Sequence, residues 1–282
     1  NVDMANSASP LVSVICTVKN GSKTIASVLE SVQEQSLHEW EMIVVDDGST
    51  DDTSKIVREY ADADSRIRLI STDGVGRGRA LNLALAHARA EHVANIDADD
   101  PCHPMRLEIQ YRVLKDNDNE SYAVVGTNTV LFFDNELPQW MDIPRAALRD
   151  VPVVDVTQLI ARLSPVNHSS VLMKRSALEH VGGYDEERRS QYDYDLWVRL
   201  AEAGYRIGRI DLPLSGKRIH QGQQFERRRR LKYLLSSAAV QHRAIRVLGG
   251  RPIDYFYLVA RPLWGLLPNW LRMTVRKMID RT

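Results

Sequence analysis

Short apolar, β-branched runs at residues 11–18, 40–45, 66–70 and 91–96 recur through the first third of the chain, and amphipathic stretches of helical length lie between them. This alternation predicts a parallel, doubly wound α/β sheet, because parallel neighbours need a crossover long enough to hold a helix. Ile25, Val28, Leu29 and Val32 fall at i, i+3, i+4 and i+7, the spacing of one buried helix stripe. Leu81, Leu85 and Ala88 give the third helix its own stripe. Strand character returns at 122–134, a helix is expected at 191–203 and a short strand at 205–210, so residues 1–220 read as one continuous domain. A basic amphipathic helix over 225–248 follows and Gly249-Gly250-Arg251-Pro252 breaks it, so residues 221–282 read as a helical C-terminal appendage.

Charge is uneven along a chain whose formal net charge is zero. Residues 205–282 carry 17 of the 37 Lys and Arg but only 4 of the 37 Asp and Glu, leaving 20 against 33 before them. An acidic front suits a site that gathers a divalent cation, and a basic tail suits phosphate groups or an anionic surface. A nucleic-acid partner is not expected. Cys16 and Cys102 lack the spacing of a zinc site or a disulfide scaffold, and there is no leader-like opening and no apolar run of about 18 residues. A cytoplasmic location is therefore expected. The opening residue is Asn1, so the natural start is expected to differ.

Two acidic clusters follow strands. Asp46-Asp47-Gly48-Ser49-Thr50-Asp51-Asp52 reads in part as a helix start, with Ser49 and Asp52 forming a capping box, which leaves Asp46 and Asp47 unexplained at a strand tip. Asp97-Ala98-Asp99-Asp100, closed by Pro101, puts three carboxylates in four residues. They repel one another unless something cationic neutralises them, and Mg²⁺ or Mn²⁺ is the natural partner for oxygen ligands. Gly74-Val75-Gly76-Arg77-Gly78 precedes a helix in the wrong unit for a dinucleotide fingerprint and reads as a mobile turn.

From about Val12 to His220 the chain resembles glycosyltransferase family 2, which has the GT-A fold. The resemblance is carried by Val14–Gly21, Asp46–Thr53, Ala80-Leu81-Asn82, Asp97–Asp100, Pro165–Ser170, Gly182–Glu186 and Tyr192–Trp197. It implies a Rossmann-like, mostly parallel sheet flanked by helices. By it, Asp46 would bond the nucleotide base, Asp97 would lie by the ribose, and Thr17, Asn20, Asp47 and Asn82 would complete the nucleotide site. Asp99 and His220 would hold the metal, Asp193 would be the catalytic base, and Arg79, His168 and Arg218 would face the diphosphate or the acceptor. The chain departs from the pattern at Lys19, where an aromatic residue commonly stacks on the base, at Tyr192, where a Glu usually stands, and at Leu81, which replaces an Arg, with Arg77 and Arg79 nearby to meet the same phosphates. The helical wheel separates Asp193 from Asp195 by roughly 200°. Asp193 shares a face with buried-type Leu196, Trp197 and Leu200, and Asp195 is expected in a solvent-side salt bridge with Arg199.

The implied reaction is an inverting transfer of a sugar from a nucleotide diphosphate sugar, with a UDP-sugar the expected donor, to an acceptor hydroxyl in cell-surface polysaccharide or glycolipid synthesis. A sugar-phosphate nucleotidyltransferase is the nearest enzymatic alternative, but residues 17–24 offer only Gly21 and Lys23 where its glycine-rich loop belongs. A non-catalytic nucleotide-sugar-binding module is the other. In the tail, residues such as Phe256, Leu263, Trp264 and Trp270 are interleaved with Arg261, Arg272, Arg276, Lys277 and Arg281. That mixture suits the anionic inner face of a membrane as a peripheral partner. The competing expectation is that these apolar residues pack back onto the domain or form a homodimer interface.

Overall fold

The computed structural model describes residues 9–115, 121–134, 136–145, 151–219 and 230–266. The first half runs β1 (Val12–Val18), α1 (Ile25–Gln33), β2 (Trp40–Asp47), α2 (Thr53–Ala63), β3 (Ile67–Thr72), α3 (Arg77–Ala86), β4 (His92–Asn95) and α4 (Arg106–Lys115). Then come β5 (Tyr122–Phe133), β6 (Val153–Asp155), β7 (Leu172–Lys174), α5 (Arg175–His180), α6 (Tyr192–Glu202), β8 (Arg206–Ile219), α7 (Arg230–Leu248) and α8 (Pro252–Leu266). The eight strands form one mixed sheet in the order β3-β2-β1-β4-β7-β5-β8-β6. Strands β3, β2, β1 and β4 are parallel, β7 runs antiparallel to both β4 and β5, β5 and β8 are parallel, and β6 closes the edge antiparallel.

Alternation along each strand sorts side chains into two apolar layers. Val14, Cys16 and Val18 of β1 pack with Ile25, Leu29 and Leu107 on one face. Ile15 of the same strand packs with Leu81, Trp197 and Leu200 on the other. Cys16 and Cys102 are both free and buried.

The strand expected at 205–210 extends through Ile219. Pro213 lacks the N–H of a continuing ladder, which is why the sequence pattern breaks there. It is accommodated where the β5–β8 register shifts on both sides of Asn128. This extension carries Lys217 and Arg218 back to the carboxyl end of the sheet. The helix expected at 225–248 is seen over Arg230–Leu248, and residues 225–229 lie outside the described residues. Its inner side packs on the sheet domain, with Val240 and Ala244 in the apolar layer of α6 and Gln241 Nε2 donating to the Ala161 carbonyl at 3.2 Å. Gly249, at φ +70°, breaks the helix as expected.

Beneath the centre of the sheet, the buried Arg106 donates through Nη2 to the carbonyls of Asn95 (2.9 Å) and Val171 (3.0 Å) and through Nε to Gln110 Oε1 (3.0 Å). It supplies a donor to the Asn95 carbonyl and adds a second donor to the Val171 carbonyl, which also accepts the Asn95 N–H at 3.2 Å. Arg106→Met should strand the Asn95 carbonyl and the Gln110 amide oxygen and lower stability by about 2–3 kcal/mol, read as a fall in the denaturant midpoint at unchanged m-value.

Candidate active site

At the carboxyl ends of β1, β2, β4 and β8 opens a cleft of about 1060 Å³. Chain order reverses direction across β1 and β4 here, which is where open α/β sheets bind ligands. Thr17, Lys19, Asn20, Asp47, Arg77, Asp97, Asp99, Lys217 and Arg218 are among its lining residues.

The loop after β4 forms the cleft floor, where Asp97, Asp99 and Asp100 each offer a carboxylate oxygen within 4.8 Å of the others. The expectation that this trio needs an external cation is only partly met, because the protein neutralises two members itself. Arg77 Nη2 reaches Asp97 Oδ1 at 2.5 Å. Asp100 is fully buried and accepts from Lys217 Nζ (3.0 Å), Ser169 Oγ (3.0 Å) and the Arg218 N–H (2.9 Å). Burial opposes ionisation of Asp97, but the Arg77 guanidinium, backed by His168 and Lys217, outweighs it and holds the carboxyl below its usual range. Burial likewise pushes Asp100 up, with Lys217 opposing. Arg218 donates through Nε to the Asp99 carbonyl (3.1 Å) and through Nη1 to that of Asp134 (2.9 Å), lying over the Phe132 ring. A hard divalent ion fits this donor set through Asp97 and Asp99, since Asp100 is already spent on β8. His220 lies outside the described residues.

The pair left without a purpose at the tip of β2 has one. Asp46 is buried, and its carboxylate accepts from the Ser49 N–H (3.0 Å) and from Ser54 Oγ. Asp47 accepts from Thr72 Oγ1 (2.8 Å) and from the N–H groups of Val75 (2.7 Å) and Gly76 (3.0 Å). The glycine segment is therefore clasped and not a mobile turn. Gly76, at φ +93°, hands the chain to α3 so that Arg77 starts the helix facing the cleft. Gly78 lies inside α3, where an added Cβ would stand 2.9 Å from the Asp185 carbonyl. The expected capping box is absent: Asp52 caps α2 without a side-chain bond, Asp51 holds the Thr53 N–H at 3.1 Å, and Ser49 Oγ accepts from the Asn20 N–H at 2.8 Å. Asn20, at φ +55°, in turn accepts the Thr50 N–H at 2.8 Å, which locks the β1 and β2 loops together.

Asp193 stands in the first turn of α6, where its Oδ2 accepts from Ser164 Oγ at 3.3 Å. Its charge acts on Arg77, Tyr184 and His168, so it stands near the cleft-lining Arg77, although it is not itself among the residues that line the cleft. Asp195 faces away from it, as the wheel requires, but not into solvent. It is 3% exposed and pairs with Arg199 (2.8 Å) and Arg188 (3.2 Å). His168 is buried, its Nδ1 against Asn95 Nδ2 (3.1 Å) and its Nε2 against the Tyr184 hydroxyl (2.9 Å), and burial pushes its pKa down. Asn82 bonds the backbone of Tyr184 at both N–H and carbonyl, away from the cleft lining. Arg79 pairs with Glu186 at 3.2 Å, also outside it. Of the two α3 arginines expected near the phosphates, Arg77 reaches the cleft and Arg79 does not. Arg77 lies four residues before the buried Leu81 and so shares the inward stripe of α3, a signal present in the sequence.

Asp47→Ala should free the Val75 and Gly76 amides. Their hydrogen exchange, slow in the parent protein, should accelerate by at least about tenfold, the scale of one lost buried hydrogen bond.

Known proteins bear on this arrangement. The profile of Glycosyl transferase family 2 matches residues 13–182. A putative glycosyltransferase, EpsE of Bacillus subtilis, is 34% identical over 258 residues, spanning 90% of this chain and 88% of its own length. Chondroitin synthase of Escherichia coli is 28% identical over 199 residues, 69% of this chain and 27% of that protein. Among solved structures, S. aureus TarS in complex with UDP-GlcNAc superposes with a TM-score of 0.63 at 21% identity, over 84% of this chain and 70% of that one. The Pyrobaculum calidifontis mannosyltransferase PcManGT, in complex with GDP-Man and Mn²⁺, gives 0.64 at 22%, over 97% and 81%. With the α/β sheet, helical layers and cleft above, these likenesses make the chain a GT-A-fold enzyme that belongs to glycosyl transferase family 2.

Proposed function

We propose that the chain is an inverting glycosyltransferase that moves a sugar from a nucleotide diphosphate sugar, a UDP-sugar, onto an acceptor hydroxyl of a glycan or lipid-linked glycan in cell-surface polysaccharide or glycolipid synthesis. The carrying observation is the cleft-lining group Asp99, Asp97 and Arg77 with Asp193 near enough for its charge to act on Arg77, because a direct displacement needs a base close to the site that holds the leaving group. The solved neighbours, one in complex with UDP-GlcNAc and the other with GDP-Man and Mn²⁺, support a nucleotide-sugar donor.

Asp97 and Asp99 would hold Mg²⁺ or Mn²⁺, which when bound neutralises charge on the departing diphosphate. Asp193, one oxygen fixed by Ser164, accepts the proton of the attacking hydroxyl. Arg77 and Lys217 border the cleft and add positive potential where the diphosphate lies. Thr17, Lys19, Asn20 and Asp47 border the nucleotide end, while Asp46, Asn82 and His168 act on the site from behind its walls. The enzyme would work in the cytoplasm with an anionic membrane surface as its partner.

Asp99→Asn should abolish Mn²⁺-dependent donor binding in titration calorimetry together with turnover, since an amide is a poor ligand for a hard cation. A variant as active as the parent with Mn²⁺ supplied overturns the assignment.

Asp193→Asn should keep nucleotide affinity and lower kcat by about 10² or more, the scale of a lost general base. Asp195→Asn should act through stability, costing about 3 kcal/mol as its buried arginines lose their carboxylate. The reverse outcome, with Asp195→Asn silencing a stably folded enzyme and Asp193→Asn sparing it, exchanges the two roles.

A further inference from the structure

Helix α8 is turned inside out for a helix in water. Its only carboxylate, Asp254, is 2% exposed and faces the protein, with Oδ1 accepting from Arg162 Nε at 2.6 Å and Oδ2 from the Arg251 N–H at 2.8 Å. Its outward side carries Tyr255, Phe256, Val259, Leu263 and Trp264, with Phe256 63% and Val259 61% exposed. A surface helix normally shows the opposite arrangement, and a contiguous apolar face of this kind marks a contact with something else.

We propose that this outward face docks onto an anionic lipid bilayer and sets the acceptor side of the active site against it. Charge chooses the occupant. The one other charged side chain of α8, Arg261, is exposed, and Arg251 just before it is 60% exposed. In sequence, residues 267–282 add Arg272, Arg276, Lys277 and Arg281 against the single Asp280. An anionic leaflet offers the complementary charge to these cations. Tyr and Trp, apolar with a polar tip, suit the headgroup level. Among the described residues no helix is long and apolar enough to cross a membrane, so α8 lies along the surface.

The inward side of the same helix is fastened to the segment that bears on Asp193. Arg162 grips Asp254, stands over the Tyr257 ring at 5.7 Å, and accepts at its carbonyl from Arg261 Nη1 at 2.5 Å. Two residues further on, Ser164 bonds Asp193. One short segment thus joins the docking helix to the proposed base, which presents Asp193 to an amphiphilic acceptor whose hydroxyl sits at the bilayer surface. This consequence rests on the glycosyl-transfer reading; the docking itself does not.

Flotation of the full chain with vesicles tests the docking without donor or acceptor. At low salt the chain should float with phosphatidylcholine vesicles containing phosphatidylglycerol, and be released as salt rises. The triple variant Phe256→Ser, Val259→Ser, Leu263→Ser should melt at the parent temperature and lose about tenfold or more of the floated fraction, the scale of three apolar side chains withdrawn from an interface. A parent chain that stays in solution overturns the proposal, as does a triple variant that floats equally. A parent that sediments as a dimer, becomes monomeric in the triple variant and does not float assigns the face to a second copy instead. A chain that floats but transfers no sugar keeps the docking and removes the transfer reading.

Discussion

A fully buried carboxylate joins the two halves of this sheet, and the shape of the cleft follows from it. Asp100 leaves the parallel half after β4 and finds all its partners across the β7–β5–β8 side, in Ser169 Oγ, Lys217 Nζ and the Arg218 N–H. A buried charge without such partners is too costly to keep, so strand β8 must run far enough to supply them. That requirement draws the chain tightly past Pro101, where an added Cβ on Gly216 would stand 2.8 Å from the Pro101 carbonyl. It also brings Arg218 over the carbonyls of Asp99 and Asp134. The acidic loop is consequently built in advance, with its geometry set before any ligand arrives.

Elements governed by their own periodicity were legible in the sequence. The first four strands, the stripes of α1 and α3, and the break at Gly249 depend on neighbours within a few residues, and they lie where the pattern puts them. What escaped were partners from elsewhere in the chain. The wheel of α6 separated Asp193 from Asp195 correctly, yet it could not know that Arg188, from the loop before it, and Arg243, on α7, would cover the second carboxylate. A capping box of Ser49 and Asp52 was the local reading of the β2 loop, but the Asn20 N–H, 29 residues away, claimed the Ser49 hydroxyl, and Asp51 took the Thr53 amide. Arg77 and Arg79 are the opposite case, since both were expected near the phosphates and the stripe of α3 that contains Leu81 separates them, turning Arg77 to the cleft and leaving Arg79 on Glu186.

The acidic front of the sequence suggested a negatively charged site, and the structure distributes that charge differently. Glu41, Asp46, Asp100 and Asp195 are all buried and serve as internal anchors, with Glu41 held by Ser13, Arg68 and Arg89. Around the cleft itself Lys19, Lys23, Arg77, Lys217 and Arg218 face Asp47, Asp51, Asp97, Asp99 and Asp134, five cations against five carboxylates. Among the described residues the lining is thus balanced in formal charge, and Arg77 and Lys217 are each engaged by a carboxylate of the loop. On the proposed reading, the charge of a bound diphosphate would be met by a divalent cation held through the oxygens of Asp97 and Asp99.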